Sequence, residues 1–194
     1  MSHTCDNTQA RLHPPVTYEP GLGQVQCWPL PTDEDTLWLL LKDVFQGYWK
    51  DIHFGTMVPG AVWEVRAPNA PVLVGLLDGY ATIDFGAWHF HLCIGHFAGA
   101  PAEEAAQRRT GRAEFYRVLG RSGAPKSWGV RLFTVAGAQQ LTVFLPNPFL
   151  DDTGHLAETP DWNRLAAWDV LREQYLQLPP DPFDRTGSGL VCGG

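Results

Sequence analysis

The chain has 194 residues, of which 44% are hydrophobic and 18% charged, a balance that indicates one globular domain with a substantial core. Its formal net charge of −7 argues against a nucleic-acid partner, because neutralising phosphates takes clustered lysine and arginine. No apolar run approaches the roughly 18 residues of a membrane span, so we expect no membrane partner.

Cysteine usage and the first residues indicate the compartment. The 4 cysteines, Cys5, Cys27, Cys93 and Cys192, have spacings that suggest no disulfide framework. The polar start of the sequence lacks the apolar stretch of a secretory signal. We therefore expect a cytoplasmic protein with free thiols.

In chain order, residues 1–31 are predicted to form an irregular arm, because prolines and glycines recur throughout them. A helix is predicted over residues 33–50, where Asp33 follows an N-cap and apolar residues recur at helical spacing. Residues 61–95 contain short apolar runs separated by turn signals, of which Asp78-Gly79 is the strongest. This pattern is typical of an antiparallel meander.

In the second half of the chain, Pro101 begins a helix that is predicted to run to about Leu119, with an interruption at Thr110-Gly111 as the alternative. Residues 128–135 and 140–145 are predicted to form a hairpin, and Pro160 begins a final helix. A flexible tail is expected over residues 181–194. These elements predict an α+β fold with a single domain over residues 32–180: a mostly antiparallel sheet of about five to six strands, with about three helices packed on one face.

The most concentrated chemistry lies in one predicted strand that contains His89, His91 and Cys93. Period-2 alternation places these three residues on one face, and Trp88, Phe90, Leu92 and Ile94 on the other. The apolar face is expected to pack against the helices, and the histidines to face away from them.

Strand geometry limits which of these side chains can share an ion. Same-face neighbours lie roughly 6.6 Å apart, so His89 and His91 can converge on one ion, whereas His89 and Cys93 cannot. His96 can join them only if Gly95 bends the chain. Since imidazole suits borderline transition metals, we predict a divalent zinc or iron site at His89, His91 and His96. Histidines satisfied by backbone carbonyls are the structural alternative.

Two residues are candidates for catalysis. Cys93 is interpreted as a ligand, a reactive thiol or an inert wall of the cleft. Asp84, just before the histidine strand, is interpreted as a ligand, a general base or a partner that orients a histidine, with a strand-end acid of no function as the alternative.

Four residues are candidates for substrate binding. Arg108 and Arg112 have guanidinium groups that match a carboxylate, although pairing with glutamates along a helix is the favoured alternative. Trp88 is expected to contribute an aromatic wall. Asn147 lies in a stiff Pro-Asn-Pro turn that can place it at a sheet end, or that simply ends the strand.

The segment His89-Phe90-His91 resembles the paired-histidine strand of the cupins and of the animal-type carbonic anhydrases. The resemblance covers three residues, and the second cupin motif is absent.

The leading hypothesis is a metal-dependent enzyme, a hydrolase, lyase or oxygenase, acting on a small aromatic or acidic molecule. The alternative is a binding protein without a bound metal ion, in which a pocket near Trp63, Trp88 and Trp128 holds an apolar ligand or haem, which needs one axial histidine or cysteine. A homodimer is a further expectation, because a partner subunit can cover the histidine face.

Overall fold

A computed structural model describes residues 11–190 of the chain. Within that range the strands are β1 Thr17–Glu19, β2 Gly23–Leu30, β3 His53–Gly55, β4 Met57–Val58, β5 Ala61–Val62, β6 Leu73–Leu77, β7 Tyr80–Asp84, β8 His89–Cys93, β9 Thr110–Leu119, β10 Pro125–Thr134 and β11 Gln139–Phe144. The α-helices are α1 Glu34–Lys42, α2 Ala102–Arg108 and α3 Ala166–Leu176. A π-helical turn, Asp43–Gly47, extends α1, and 3-10 turns occupy Trp162–Leu165 and Pro182–Arg185.

These strands form a six-stranded sheet in the order β1-β2-β9-β10-β11-β3, a three-stranded sheet β6-β7-β8 and a β4-β5 ribbon. The β1–β2 and β11–β3 pairs of the large sheet and every pair of the smaller sheets are antiparallel. The predicted α+β fold with a mostly antiparallel sheet is confirmed. None of the helices within residues 11–190 is long and apolar enough to cross a bilayer.

The chain divides into two compact units. The first unit contains residues 1–28, 115–129 and 145–194, and the second contains residues 29–114 and 130–144. Each unit is described below by itself.

In the second unit, α1 begins where the sequence predicts it. The Asp33 carboxylate accepts a hydrogen bond from the Thr36 backbone N–H at 2.9 Å, which satisfies one of the free donors of the first turn. The π-helical turn after α1 places Phe45 against Phe90 of β8, with ring centroids 5.4 Å apart. The apolar face of the histidine strand therefore packs against the helical segment, as predicted.

The Asp78-Gly79 turn joins β6 to β7. Asp78 and Gly79 have φ angles of 47° and 74°, the left-handed pair that this turn type requires. The Gly79 carbonyl then accepts hydrogen bonds from the backbone N–H groups of Ile94 and Gly95, at 2.8 and 2.9 Å. The turn thus holds the segment that follows β8.

The helix predicted from Pro101 to Leu119 is wrong in its second half. Helix α2 ends at Arg108, Arg109 adopts extended geometry with ψ of 152°, and β9 follows within the large sheet. Residues 113–119 of β9 are all buried, so Glu114 and Arg117 lie inside the protein, whereas Arg112 is exposed. The two buried charges are tolerated there because distant side chains neutralise them, which a single sequence does not reveal.

The structure also differs from the predicted arm and tail. Residues 1–31 were predicted to be irregular, yet they include β1 and β2, and Val25 in β2 is fully buried. In the predicted tail, Asp181 caps the Pro182–Arg185 turn and Asp184 is fully buried. Burial of a few side chains outweighs the local proline and glycine signal. Residues 1–10 and 191–194, which the arm and the tail also include, lie outside the described range.

Candidate functional site

One face of the β6-β7-β8 sheet carries the predicted histidines. Cross-strand partners point to the same side of a sheet, and the register aligns Leu73 with Asp84 and His89, and Gly75 with Thr82 and His91. We call this side the outer face. It comprises Leu73, Gly75, Leu77, Tyr80, Thr82, Asp84, His89 and His91, together with Cys93, which is buried. His89 and His91 are both exposed, whereas Ile83 and Leu92 on the opposite side are buried.

The two histidines differ in how their rings are held. Their ring centroids lie 4.9 Å apart with the planes at 70°. The Nδ1 atom of His91 lies 2.7 Å from the Thr82 hydroxyl oxygen. In the tautomer with the proton on Nδ1, this N–H donates to Thr82 and leaves the Nε2 lone pair free for a ligand. His91 is thus an exposed, oriented imidazole.

The predicted zinc or iron site at His89, His91 and His96 is wrong. Within residues 11–190, no group of three or more His, Cys, Asp or Glu side chains is arranged to hold a metal ion. Gly95 does not bring His96 to the pair, because the Gly95 N–H donates to the Gly79 carbonyl and fixes the chain there. A zinc or iron ion held directly by a set of three protein side chains, and a metal-dependent enzyme built on such a site, are therefore unsupported.

Each candidate for catalysis has a structural partner of its own. The Asp84 carboxylate accepts a hydrogen bond from the Gly86 backbone N–H at 2.7 Å, which closes the turn before β8. Cys93 is buried, and its Sγ donates weakly to the Gly95 carbonyl at 3.8 Å. Burial raises the pKa of the Cys93 thiol above its ordinary value and outweighs the opposing hydrogen bond from Tyr80. Their catalytic roles stay predictions.

Arg108, Arg112 and Asn147, three of the candidates for substrate binding, each have partners close by in the sequence or in their own unit. Arg108 pairs with Glu104 on α2 at 3.2 Å, and Arg112 pairs with Glu114 at 3.1 Å on strand β9 rather than on a helix. Asn147, in the first unit, donates to the Lys126 carbonyl and accepts from the Phe149 N–H, so it stabilises its own turn. Substrate binding by these residues stays a prediction.

The three tryptophans of the predicted pocket differ in their environments. Trp63 is 52% exposed. Trp88 is half-buried and its ring packs against Phe85, with centroids 4.6 Å apart. Trp128 lies in the first unit with 1% of its surface exposed. The apolar surface available beside the histidines comes instead from Leu73 and Leu77, which are 52% and 80% exposed.

The first unit contains a buried charged cluster that the sequence alone does not predict. Arg117, Arg172 and Asp184 are fully buried. Asp184 accepts hydrogen bonds from Arg117 at 2.8 Å, from Arg172 at 3.3 Å and from two indole N–H groups. Burial lowers the pKa of Arg172, and its Nε and Nη2 atoms have no hydrogen-bond partner among the described residues. Only the spacing of Trp168 and Arg172, one turn apart on a helix, hinted at a shared environment.

Comparison with known proteins places the chain in a family. Residues 14–177 match DUF7676, a family of unknown function, and the chain belongs to it. No curated protein matches the sequence.

Several solved structures are similar at a low level. A protein from Erwinia carotovora is 17% identical with a TM-score of 0.48, covering 79% of this chain and 76% of that one. A crystal structure of ChuX is 15% identical with a TM-score of 0.47, covering 79% of this chain and 78% of that one. A second ChuX structure, titled as a haem-binding protein, is 16% identical with a TM-score of 0.45, covering 77% and 76%. Likeness at this level carries no argument about function.

Proposed function

We propose that this protein binds a flat, largely apolar molecule on the outer face, and that the ligand is haem held by one axial histidine. The observation that carries the proposal is His91: an exposed imidazole whose Nδ1 is engaged by Thr82, so that its Nε2 atom is available to a ligand. Haem needs only one protein ligand of this kind, so the proposal does not require the three-ligand cluster that is absent from residues 11–190.

The surface around His91 supports a flat apolar ligand. Gly75 lies in the same cross-strand row as His91, and the atoms nearest to a side chain there would be those of Leu73, at 3.6–3.7 Å, an ordinary van der Waals contact. The neighbouring rows present Leu73 and Leu77, both largely exposed. Exposed leucines on either side of a glycine offer an apolar surface with a depression at its centre, which suits a planar ring system.

The chain's residues have separate roles in this proposal. His91 would coordinate the iron, and the Thr82 hydroxyl, as the acceptor of the Nδ1–H, would orient the imidazole. Leu73 and Leu77 would contact the ring edges and exclude water. When bound, haem supplies an iron whose affinity for further ligands and whose redox potential depend on the axial ligand.

Haem titration of the purified full chain tests the proposal. We expect a Soret band that saturates at about one haem per chain, and a dissociation constant that rises about tenfold or more in His91→Ala, since an axial bond is lost. Gly75→Val should weaken binding without unfolding the sheet, because valine suits a strand but fills the depression.

His155 offers a matched control. It is exposed, and its Nδ1 lies 2.6 Å from the Thr153 hydroxyl, but it belongs to a polar turn in the first unit. His155→Ala should bind haem as the parent protein does. Unchanged binding in both His91→Ala and Gly75→Val would show that haem does not bind at the outer face. Catalysis on a small-molecule substrate and a homodimeric state stay predictions from the sequence.

A further inference from the structure

A cavity of about 420 Å³ lies in the first unit, formed by the β9–β10 turn and the segment after the Pro182–Arg185 turn. Its lining residues are Gly120, Arg121, Ser122, Ala124, Pro125, Lys126, Gly187, Ser188 and Gly189. Its volume falls within the range of small-molecule sites, about 300–1,000 Å³. It contains no residue of the outer face.

The charge of this cavity contrasts with that of the chain. The whole protein carries a formal charge of −7, yet the cavity is lined by two cationic side chains and by no acidic residue. Among the described residues, neither the Arg121 nor the Lys126 side chain has an ion-pair or hydrogen-bond partner. Two uncompensated cations at one cavity attract an anion.

Hydroxyl groups add uncharged donors to the two cations. The Ser122 Oγ accepts a hydrogen bond from the Ala124 backbone N–H at 3.4 Å, so its own hydrogen remains able to donate. Ser188 contributes a second hydroxyl from the opposite wall. Cations combined with hydroxyl donors match an anion with several acceptor oxygens better than they match a simple halide.

The two walls of the cavity approach each other closely at Gly187. A side chain at Gly187 would meet the Pro125 carbonyl oxygen at 2.5 Å and the Phe149 ring at 2.6 Å. Only glycine therefore allows the later segment to lie this close to β10. This close approach brings β10 and the later segment together as the two walls of the cavity.

The geometry points to a binding site for a small phosphorylated molecule, with Arg121 and Lys126 holding the phosphate group. A phosphate monoester carries about −1.5 to −2 charge at pH 7, which two cations neutralise, whereas a carboxylate carries only one charge. The remaining volume accommodates the organic part of such a molecule. This inference concerns the first unit and does not depend on the haem proposal.

The test is titration of isotope-labelled full-length protein with glycerol 3-phosphate, followed by amide chemical shifts at constant ionic strength. We expect saturable shifts in residues 120–126 and 187–189. In the double variant Arg121→Gln/Lys126→Gln the dissociation constant should rise about tenfold or more, because two charge-assisted contacts are lost.

Two comparisons make the result decisive. The double variant Lys42→Gln/Lys50→Gln changes the net charge equally but alters the second unit, and it should bind as the parent protein does. Glycerate, which carries a carboxylate in place of the phosphate, should bind about tenfold or more weakly. Equal binding of glycerate, equal weakening in the two double variants, or shifts that never saturate would each overturn the inference.

Discussion

Asp184 is the residue on which the buried charges of the first unit converge. It lies at 0% exposure and accepts hydrogen bonds from Arg117, Arg172, Trp128 and Trp168. An isolated buried charge is costly, whereas one that is paired and fully hydrogen-bonded is tolerated. The two arginines therefore depend on this single carboxylate for part of their compensation.

We expect Asp184→Asn to lower the free energy of unfolding by about 3–5 kcal/mol, because it leaves a buried guanidinium uncompensated. The measurement is urea denaturation. Asp152→Asn is the control, since Asp152 pairs with Arg164 at 2.6 Å but is 93% exposed. That change should cost no more than about 1 kcal/mol. A similar loss in both variants would contradict a special role for the buried cluster.

Cys93 is expected to be chemically inert in the folded protein. Burial raises the pKa of its thiol, and the thiolate is the form that reacts. The measurement is iodoacetamide labelling at pH 7.5, mapped by mass spectrometry. At this pH about a tenth or less of an unperturbed cysteine is in the thiolate form. Cys93 should react more slowly than the half-buried Cys27. Added zinc should leave the rate at Cys93 unchanged. Slower labelling of Cys93 in the presence of zinc would contradict this prediction and would indicate that Cys93 binds the metal.

The raised pKa of the Cys93 thiol also determines how this residue affects the stability of the folded protein at high pH. The folded protein keeps the Cys93 thiol protonated above the pH at which the unfolded chain ionises it, near the ordinary value of 9.0. The unfolded state then binds fewer protons than the folded state, so this contribution lowers stability as pH rises through that range. Below it, both states hold a neutral thiol and the contribution is constant.

At the scale of elements, the Asp78-Gly79 turn determines how β6, β7 and the end of β8 meet. Gly79 has φ of +74°, and a side chain on it would meet the His96 carbonyl oxygen at 2.3 Å. Gly60, in the β4–β5 turn, has φ of +85° and no atom within 4 Å of the same position. A substitution at Gly60 therefore introduces backbone strain alone, whereas a substitution at Gly79 introduces backbone strain and a steric clash.

We expect Gly60→Ala to cost about 1 kcal/mol, the usual penalty for a left-handed alanine. Gly79→Ala should cost about 2–4 kcal/mol, because backbone atoms must move as well. Denaturation midpoints measure both, and amide hydrogen exchange at Ile94 and Gly95 should rise only in the Gly79 variant. Equal losses of stability in the two variants would show that the backbone near the His96 carbonyl moves aside without a measurable cost.

Elements with strong local signals could be predicted from the sequence. The helix after Asp33, the Asp-Gly hairpin, the histidine strand and the 125–144 hairpin each carry their own capping, turn or alternation pattern. Strand β9 could not be predicted, because its charged residues look like the polar face of a helix until their partners are known. Arg117, for instance, is neutralised by Asp181 and Asp184, which lie 64 and 67 residues away.

The outer face could be predicted only in part, because a local pattern specifies the histidines and distant residues specify the rest. Alternation placed His89 and His91 on one side of a strand, and the structure shows them there. Strand pairing brings Thr82 to His91 and Gly75 beside them, and no local pattern specifies that register. The missing third ligand also depends on a distant contact, since the backbone N–H groups of Ile94 and Gly95 donate to the Gly79 carbonyl and fix the chain just before His96.

At the scale of the whole molecule, the net charge determines which anionic ligands the protein can bind. The chain carries 14 basic and 21 acidic residues, and of its basic residues Arg117 and Arg172 are buried against Asp184. Duplex DNA requires many simultaneous phosphate contacts, whereas the cavity in the first unit offers two cations. A single phosphate group and a nucleic acid are therefore distinct ligands for this protein.

We accordingly expect no measurable binding of a labelled 20-base-pair DNA duplex by fluorescence anisotropy at about 50 mM salt, up to about 100 μM protein, because long-range repulsion from a chain of net charge −7 opposes encounter. Two phosphate contacts alone would give a salt slope of about −1.8, far shallower than the slope of a dedicated DNA-binding protein. Binding tighter than about 10 μM with a steep salt dependence would contradict this expectation. It would also mean that Arg121 and Lys126 belong to a larger basic surface than the one the cavity defines.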